Sequence, residues 1–197
     1  MASETSVVTP ERYMTGIPSY SDWISAIGQR QTEFQRHYDE YEPEAADLAE
    51  LQGYVDQHGV KALVIGEDWC PDVWRGMPVI YKLGERTGME VRAFMRDQNK
   101  DIMSEFLNQG EFESIPTIVF YDRDHKYLGH WIERAKLANE EMPNVRASIM
   151  PNPMPERDTA EYTAYTDKSR EAMIDAAGPW RHAQLKEILE ILRGALR

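Results

Sequence analysis

A single cysteine in 197 residues, Cys70, leaves no partner for an internal disulfide. The fold therefore owes nothing to oxidation and suits a reducing compartment. Nowhere do roughly eighteen apolar residues run together, as a membrane-spanning helix needs, and the polar stretch 1–16 has no apolar centre of signal-peptide length. A cytoplasmic location is the expectation. Positive charge is scarce: 22 Lys and Arg against 34 Asp and Glu give a net charge of -12. Such a surface repels phosphate backbones and anionic head groups, so neither nucleic acid nor membrane is an expected partner. The five histidines are scattered, with no His-x-x-x-His, no cysteine cluster and no acidic calcium loop, and no metal site is expected. Gly-rich phosphate loops and Gly-x-Ser-x-Gly are missing too, so no cofactor is expected.

What is present is the composition of a folding chain, 42% hydrophobic and 28% charged, which is too apolar for disorder. From Tyr20, a stripe of Trp23, Ile24, Ile27, Phe34, Tyr38 and Tyr41 predicts a helix capped by Ser21 or Asp22 and interrupted at Glu42-Pro43. A second helix carries Ala45, Leu48, Leu51, Tyr54 and Val55 and stops at Gly59. Both read as packing elements.

Residues 60–65 form a short apolar run rich in β-branched side chains, the pattern of a strand buried on both faces. Gly66-Glu67-Asp68-Trp69-Cys70-Pro71 ends it, and a helix follows to Leu83, closed by Gly84, with Pro71 in its first turn and Pro78 inside. A strand at 89–95 then implies a right-handed β-α-β unit with parallel pairing. Asn99 is expected to cap a helix carrying Ile102, Met103, Phe106 and Leu107 and ending at Gly110. After Ser114-Ile115-Pro116, strands at 117–121 and 127–132 flank a turn and read as an antiparallel hairpin. A helix to about Ile149, a proline-rich stretch and two tail helices separated by Gly178-Pro179 complete the chain. In the last helix Leu185, Ile188, Leu189, Leu192 and Leu196 share one face, which must be buried on its own domain or in a dimer.

This order of elements, with Trp69-Cys70 opening a helix, Pro78 eight residues on, and Ile115-Pro116-Thr117 before the hairpin, resembles the thioredoxin superfamily over residues 60–149. It is similar in particular to bacterial members in which Trp-Cys-x-Asp is followed by Val or Ala, as in Trp69-Cys70-Pro71-Asp72-Val73; Phe94-Met95-Arg96-Asp97 and Gly129-His130-Trp131 extend the likeness. The resemblance implies an α/β thioredoxin-like fold, a central mixed β-sheet flanked by helices, with helical extensions at both termini. The expected divisions are a flexible leader (1–17), N-terminal helices (18–59), the core (60–149), a Pro-rich linker (150–155) and C-terminal helices (156–197). It also implies that Pro116 is cis and faces Cys70. Two positions depart from the family pattern: Val73 stands where the resolving cysteine belongs, and Val64 where thioredoxins bury an aspartate thought to relay protons.

The resemblance points to Cys70 as the catalytic residue, with Trp69, Pro71, Asp72, Ile115 and Pro116 forming a substrate groove. A helix N-terminus favours a thiolate by about 0.3–1 kcal/mol, up to roughly 2 when partly buried. Asp68 and Asp72, if about 6–8 Å away at an effective dielectric near 40, each oppose it by roughly 1 kcal/mol. The thiol is therefore expected to be no more acidic than a free one. Asp68 and Asp72 read better as helix caps than as an acid-base pair. Two functions follow as expectations. One is a thiol-disulfide oxidoreductase working through a mixed disulfide at Cys70, with a low-molecular-weight thiol or a protein disulfide as partner. The other is a non-catalytic module that binds a peptide or protein in the Trp69/Pro116 groove, with a homodimer through the last helix as a possible assembly.

Overall fold

The computed structural model describes residues 6–196. Its sheet contains β1 (Lys61–Gly66), β2 (Val91–Met95), β3 (Thr117–Tyr121) and β4 (Tyr127–Ile132), in the spatial order β2-β1-β3-β4. Central β1 runs parallel to β2, with Val64 opposite Ala93, and antiparallel to β3, with Val64 opposite Ile118. The β3/β4 hairpin falls where alternation placed it. Burial on both faces explains the unbroken apolar run of β1, whose residues from Ala62 to Gly66 are all buried.

Helix α5 (Pro71–Thr87) joins β1 to β2 and carries Pro71 in its first turn. It runs past Gly84 and ends on Gly88, which adopts φ 73°. Gly84 serves another purpose: a Cβ there would lie 2.8 Å from the Met89 carbonyl oxygen and 2.8 Å from Val91 Cγ2. Gly84→Ala gains up to about 1 kcal/mol of helix propensity, but pressing a methyl on fixed backbone costs about 1–3 kcal/mol. A net loss of stability is expected, read as a lower denaturation midpoint; an equal or higher midpoint would refute the close approach.

The N-terminal region departs from expectation in two ways. The segment read as a leader is folded where it is described: α1 (Pro10–Met14) is capped by Thr9, and Tyr13, 1% exposed, donates to the carbonyls of Ala62 and Glu90 at 3.2 and 3.1 Å. Ile17 then pairs with Ala93 through both backbone bonds. Residues 1–5 of that expected leader lie outside the described residues. The single aromatic stripe is two helices, α2 (Tyr20–Ala26), capped by Ser19, and α3 (Gln31–Glu40). The chain breaks between them because Gly28 N–H goes to Asp68 and Arg30 takes a left-handed φ of 66°. Next, α4 (Ala45–His58) stops at Gly59 as expected.

The helix after β2 is shorter than its apolar spacing suggested. It is α6 (Lys100–Met103), and the Asn99 side chain bonds the Met95 carbonyl rather than the helix start. Gln109 and Gly110, both at positive φ, reverse the chain so that Asn108 and Phe112 bond each other, as left-handed residue pairs do in tight turns.

Beyond the sheet lie α7 (Lys136–Ile149), α8 (Ala160–Asp175) and α9 (Ala177–Ala195). Gly178-Pro179 does not part the last two. The break is at Ala176, and Pro179 sits in the first turn of α9, where its missing N–H costs nothing. Helix α9 packs on β4, α4, α5 and α7 and buries Leu185, Ile188, Leu189 and Leu192. Contact is so close that a Cβ on Gly129 of β4 would fall 2.4 Å from Ile191 Cγ2. The apolar stripe of α9 is thus covered by its own chain, which removes the face on which the expected homodimer was to form.

Candidate functional site

The site loop is pinned from both sides. After β1, the Asp68 carboxylate accepts from Gly28 N–H at 2.9 Å and from Gln29 Nε2 at 3.1 Å, while its carbonyl accepts from Trp74 Nε1 at 2.5 Å. Glu67, 8% exposed, accepts from Asp97 N–H at 2.7 Å, and burial raises its pKa. Cys70 occupies the N-cap position of α5, and its carbonyl accepts from Val73 and Trp74 N–H at 3.0 and 3.2 Å.

The Ile115–Pro116 bond is cis. Cys70 Sγ donates to the Ile115 carbonyl at 3.6 Å, so the cysteine and the Ile-Pro-Thr segment meet although 45 residues apart. The Pro116 carbonyl accepts from Glu133 N–H at 2.7 Å. Behind the proline, Gly76 of α5 packs closely: a Cβ there would be 3.0 Å from Pro116 Cγ. Trp69 is 46% exposed beneath the Arg96 guanidinium, 5.0 Å from its ring centroid.

Cys70 is 9% exposed. Its pKa is raised, first by burial and also by the Asp72 carboxylate, against the lowering effect of the Val73 and Asp72 N–H groups and of Arg134. Asp72 is not a cap: its two oxygens accept from Arg75 Nη1 at 2.6 Å and Arg134 Nη2 at 2.7 Å. Asp68 is not a cap either, being spent on the α2–α3 connection. Of the expected residues, Cys70, Asp72, Ile115 and Pro116 converge and Trp69 stands beside them; Pro71 is exposed and lines a separate cavity. Val73 and Val64 are both fully buried.

Sequence reading missed Arg75, Arg134, Arg96 and Glu67. Arg134 follows the end of a strand and carries no motif of its own, and Arg96 stood in Phe94-Met95-Arg96-Asp97 with no role given to its side chain. For Arg75, the signal was an Asp and an Arg three residues apart on one helix face.

Fold and site together define a thioredoxin-like α/β protein with one cysteine at the start of its site helix. A family model described as Thioredoxin matches residues 17–147, more than half of the chain, and the protein belongs to that family. Among solved structures, a protein of unknown function from Pseudomonas aeruginosa superposes with a TM-score of 0.67 at 18% identity, over 98% of this chain and 99% of that one. An HIV epitope-scaffold protein does so with a TM-score of 0.62 at 17% identity, over 97% and 99%. Both likenesses concern the fold. No curated protein matches the sequence. Among the described residues, no helix is long and apolar enough to cross a membrane.

Proposed function

We propose that the protein is a single-cysteine member of the family, of the Trp-Cys-x-Asp-Val kind, that exchanges thiols and disulfides through Cys70 in a reducing, cytoplasmic setting. The observation that carries this reading is the meeting of Cys70 Sγ with the Ile115 carbonyl beside a cis Pro116, at the N-terminus of α5. In the forward step, the Cys70 thiolate attacks one sulfur of a disulfide, forming a Cys70 mixed disulfide and expelling the other half as a thiolate. Val73 cannot resolve that adduct. A second thiol, small or protein-borne, must attack the substrate sulfur and return Cys70 as thiolate. Trp69, Asp72, Ile115 and Pro116 line the approach, residues 60–149 form the core that carries it, and 150–155 is a linker.

The low exposure and raised pKa of the thiol favour a second reading, a binding module in which Trp69 and the Ile115-Pro116 segment hold an extended peptide. Intact mass separates the two. On incubation at pH 8 with 2-hydroxyethyl disulfide, the folded protein is expected to gain one half-disulfide, lost again in excess small thiol, without catalytic turnover. A folded chain that stays unmodified while the denatured chain reacts would leave the binding module as the function.

A further inference from the structure

Four arginines, Arg30, Arg75, Arg146 and Arg170, line one cavity of about 280 Å³. No residue lining it is acidic, in a chain where acids outnumber bases 34 to 22. Some of this charge is neutralised from behind. Arg30 and Arg170 share Glu33 at 3.0 and 3.7 Å, Arg170 also reaches Asp167 at 3.0 Å, and Arg75 shares Asp72 with Arg134. Arg146 has no carboxylate partner among the described residues. Arg75, only 6% exposed, keeps a buried Nε–H without any partner.

Guanidinium groups that outnumber their acids repel one another, and a buried N–H left unpaired is costly. An anion entering the cavity would offset the surplus positive charge. Thr166 and Ser169 add hydroxyls to the wall, and its apolar part includes Trp74, Met142 and Ile174, which are 6%, 7% and 3% exposed. His37 contributes no charge, since burial first and Arg181 next depress its pKa well below the usual imidazole range, and its Nδ1 accepts from Arg181 at 2.7 Å.

We propose that this cavity, set between α5 and α8, binds a small organic anion with an apolar body and a phosphate or carboxylate head. Arg146 and Arg170 grip the head, and Trp74, Met142 and Ile174 contact the body. Arginine suits the task because its planar fork pairs with two oxygens of one head group. The volume falls just below the range of small-molecule sites, roughly 300–1,000 Å³, which limits the ligand to a compact one. Cys70 does not line the cavity, although Arg75 of its wall pairs with the Asp72 that faces the thiol.

Titration calorimetry of the full chain tests this with phenyl phosphate, phenylacetate, inorganic phosphate and benzyl alcohol at one ionic strength. Phenyl phosphate or phenylacetate is expected to bind one to one, about tenfold or more tighter than inorganic phosphate, which lacks the body, and benzyl alcohol, which lacks the charge. Arg146→Gln and Arg170→Gln should each weaken binding about fivefold or more, while Lys168→Gln, an equal charge change on an exposed neighbour of α8, and Cys70→Ser leave it unchanged. If Arg170→Gln perturbs folding through loss of Glu33, the exposed Arg146→Gln decides alone. Equal affinity for benzyl alcohol or inorganic phosphate, no saturable binding of either aromatic anion, or Arg146→Gln behaving as Lys168→Gln would overturn the proposal.

Discussion

Cys70→Ser is expected to abolish mixed-disulfide formation completely, because no other sulfur in the chain can be a nucleophilic thiolate. In the native protein, alkylation at neutral pH should be slower than for free cysteine, since burial and Asp72 push the thiol up from its ordinary value of roughly 8.5. The rate should climb about tenfold per pH unit until the raised pKa is passed. The same shift has a stability consequence. The folded state holds the thiol proton more tightly than the unfolded chain does, so this contribution is intact below the unfolded pKa of about 8.5 and is lost as pH rises beyond it. Asp72→Asn makes the cause visible. Removing a carboxylate that disfavours the thiolate by about 1 kcal/mol speeds alkylation at pH 7 roughly fivefold, while leaving Arg75 unpaired in the interior costs about 3–5 kcal/mol of stability. A variant with native stability and unchanged thiol reactivity would contradict the Asp72–Arg75 pairing as the local control.

A chain ending at Asp175, before α9, is expected not to fold. Trp180, Leu185, Ile188, Leu189 and Leu192 are each at most 1% exposed. At about 1.5–3 kcal/mol apiece their burial contributes roughly 7–15 kcal/mol, the size of a whole domain's stability, about 5–15 kcal/mol. The loss also reaches the site. Gln184 donates to the Gly76 carbonyl at 3.0 Å, directly behind Pro116, and Glu187 accepts from Trp131 Nε1 and Lys136 N–H at 2.7 and 2.8 Å. Circular dichroism and proton NMR dispersion read the outcome. Leu189→Ala, a milder change, should cost about 2–5 kcal/mol in chemical denaturation. A truncated chain that unfolds cooperatively at the full-length midpoint would show α9 to be an appendage.

The candidate site was partly legible. Trp69, Cys70 and Pro116 could be named because their signals sit in short motifs, whereas the Arg75–Asp72–Arg134 pairing joins a helix turn to the end of β4 and exists only once the sheet has formed. Misreadings of the fold had the same origin. One aromatic stripe from Tyr20 to Tyr41 fits a continuous helix until Asp68 captures the Gly28 N–H, and Gly84 reads as a stop until β2 is seen pressing on it.

Apolar periodicity, a proline suited to a first helical turn and the residue types of β1 and the hairpin determined by themselves the order β-α-β, helix, hairpin and the amphipathic character of α9, because each rests on backbone preferences and burial within a few residues. Only the tertiary structure decided what that amphipathic face covers, which charges neutralise Asp72, how deeply the thiol is buried and where four arginines gather. Those outcomes depend on contacts between residues tens of positions apart, whose energies are set by desolvation and distance rather than by local pattern.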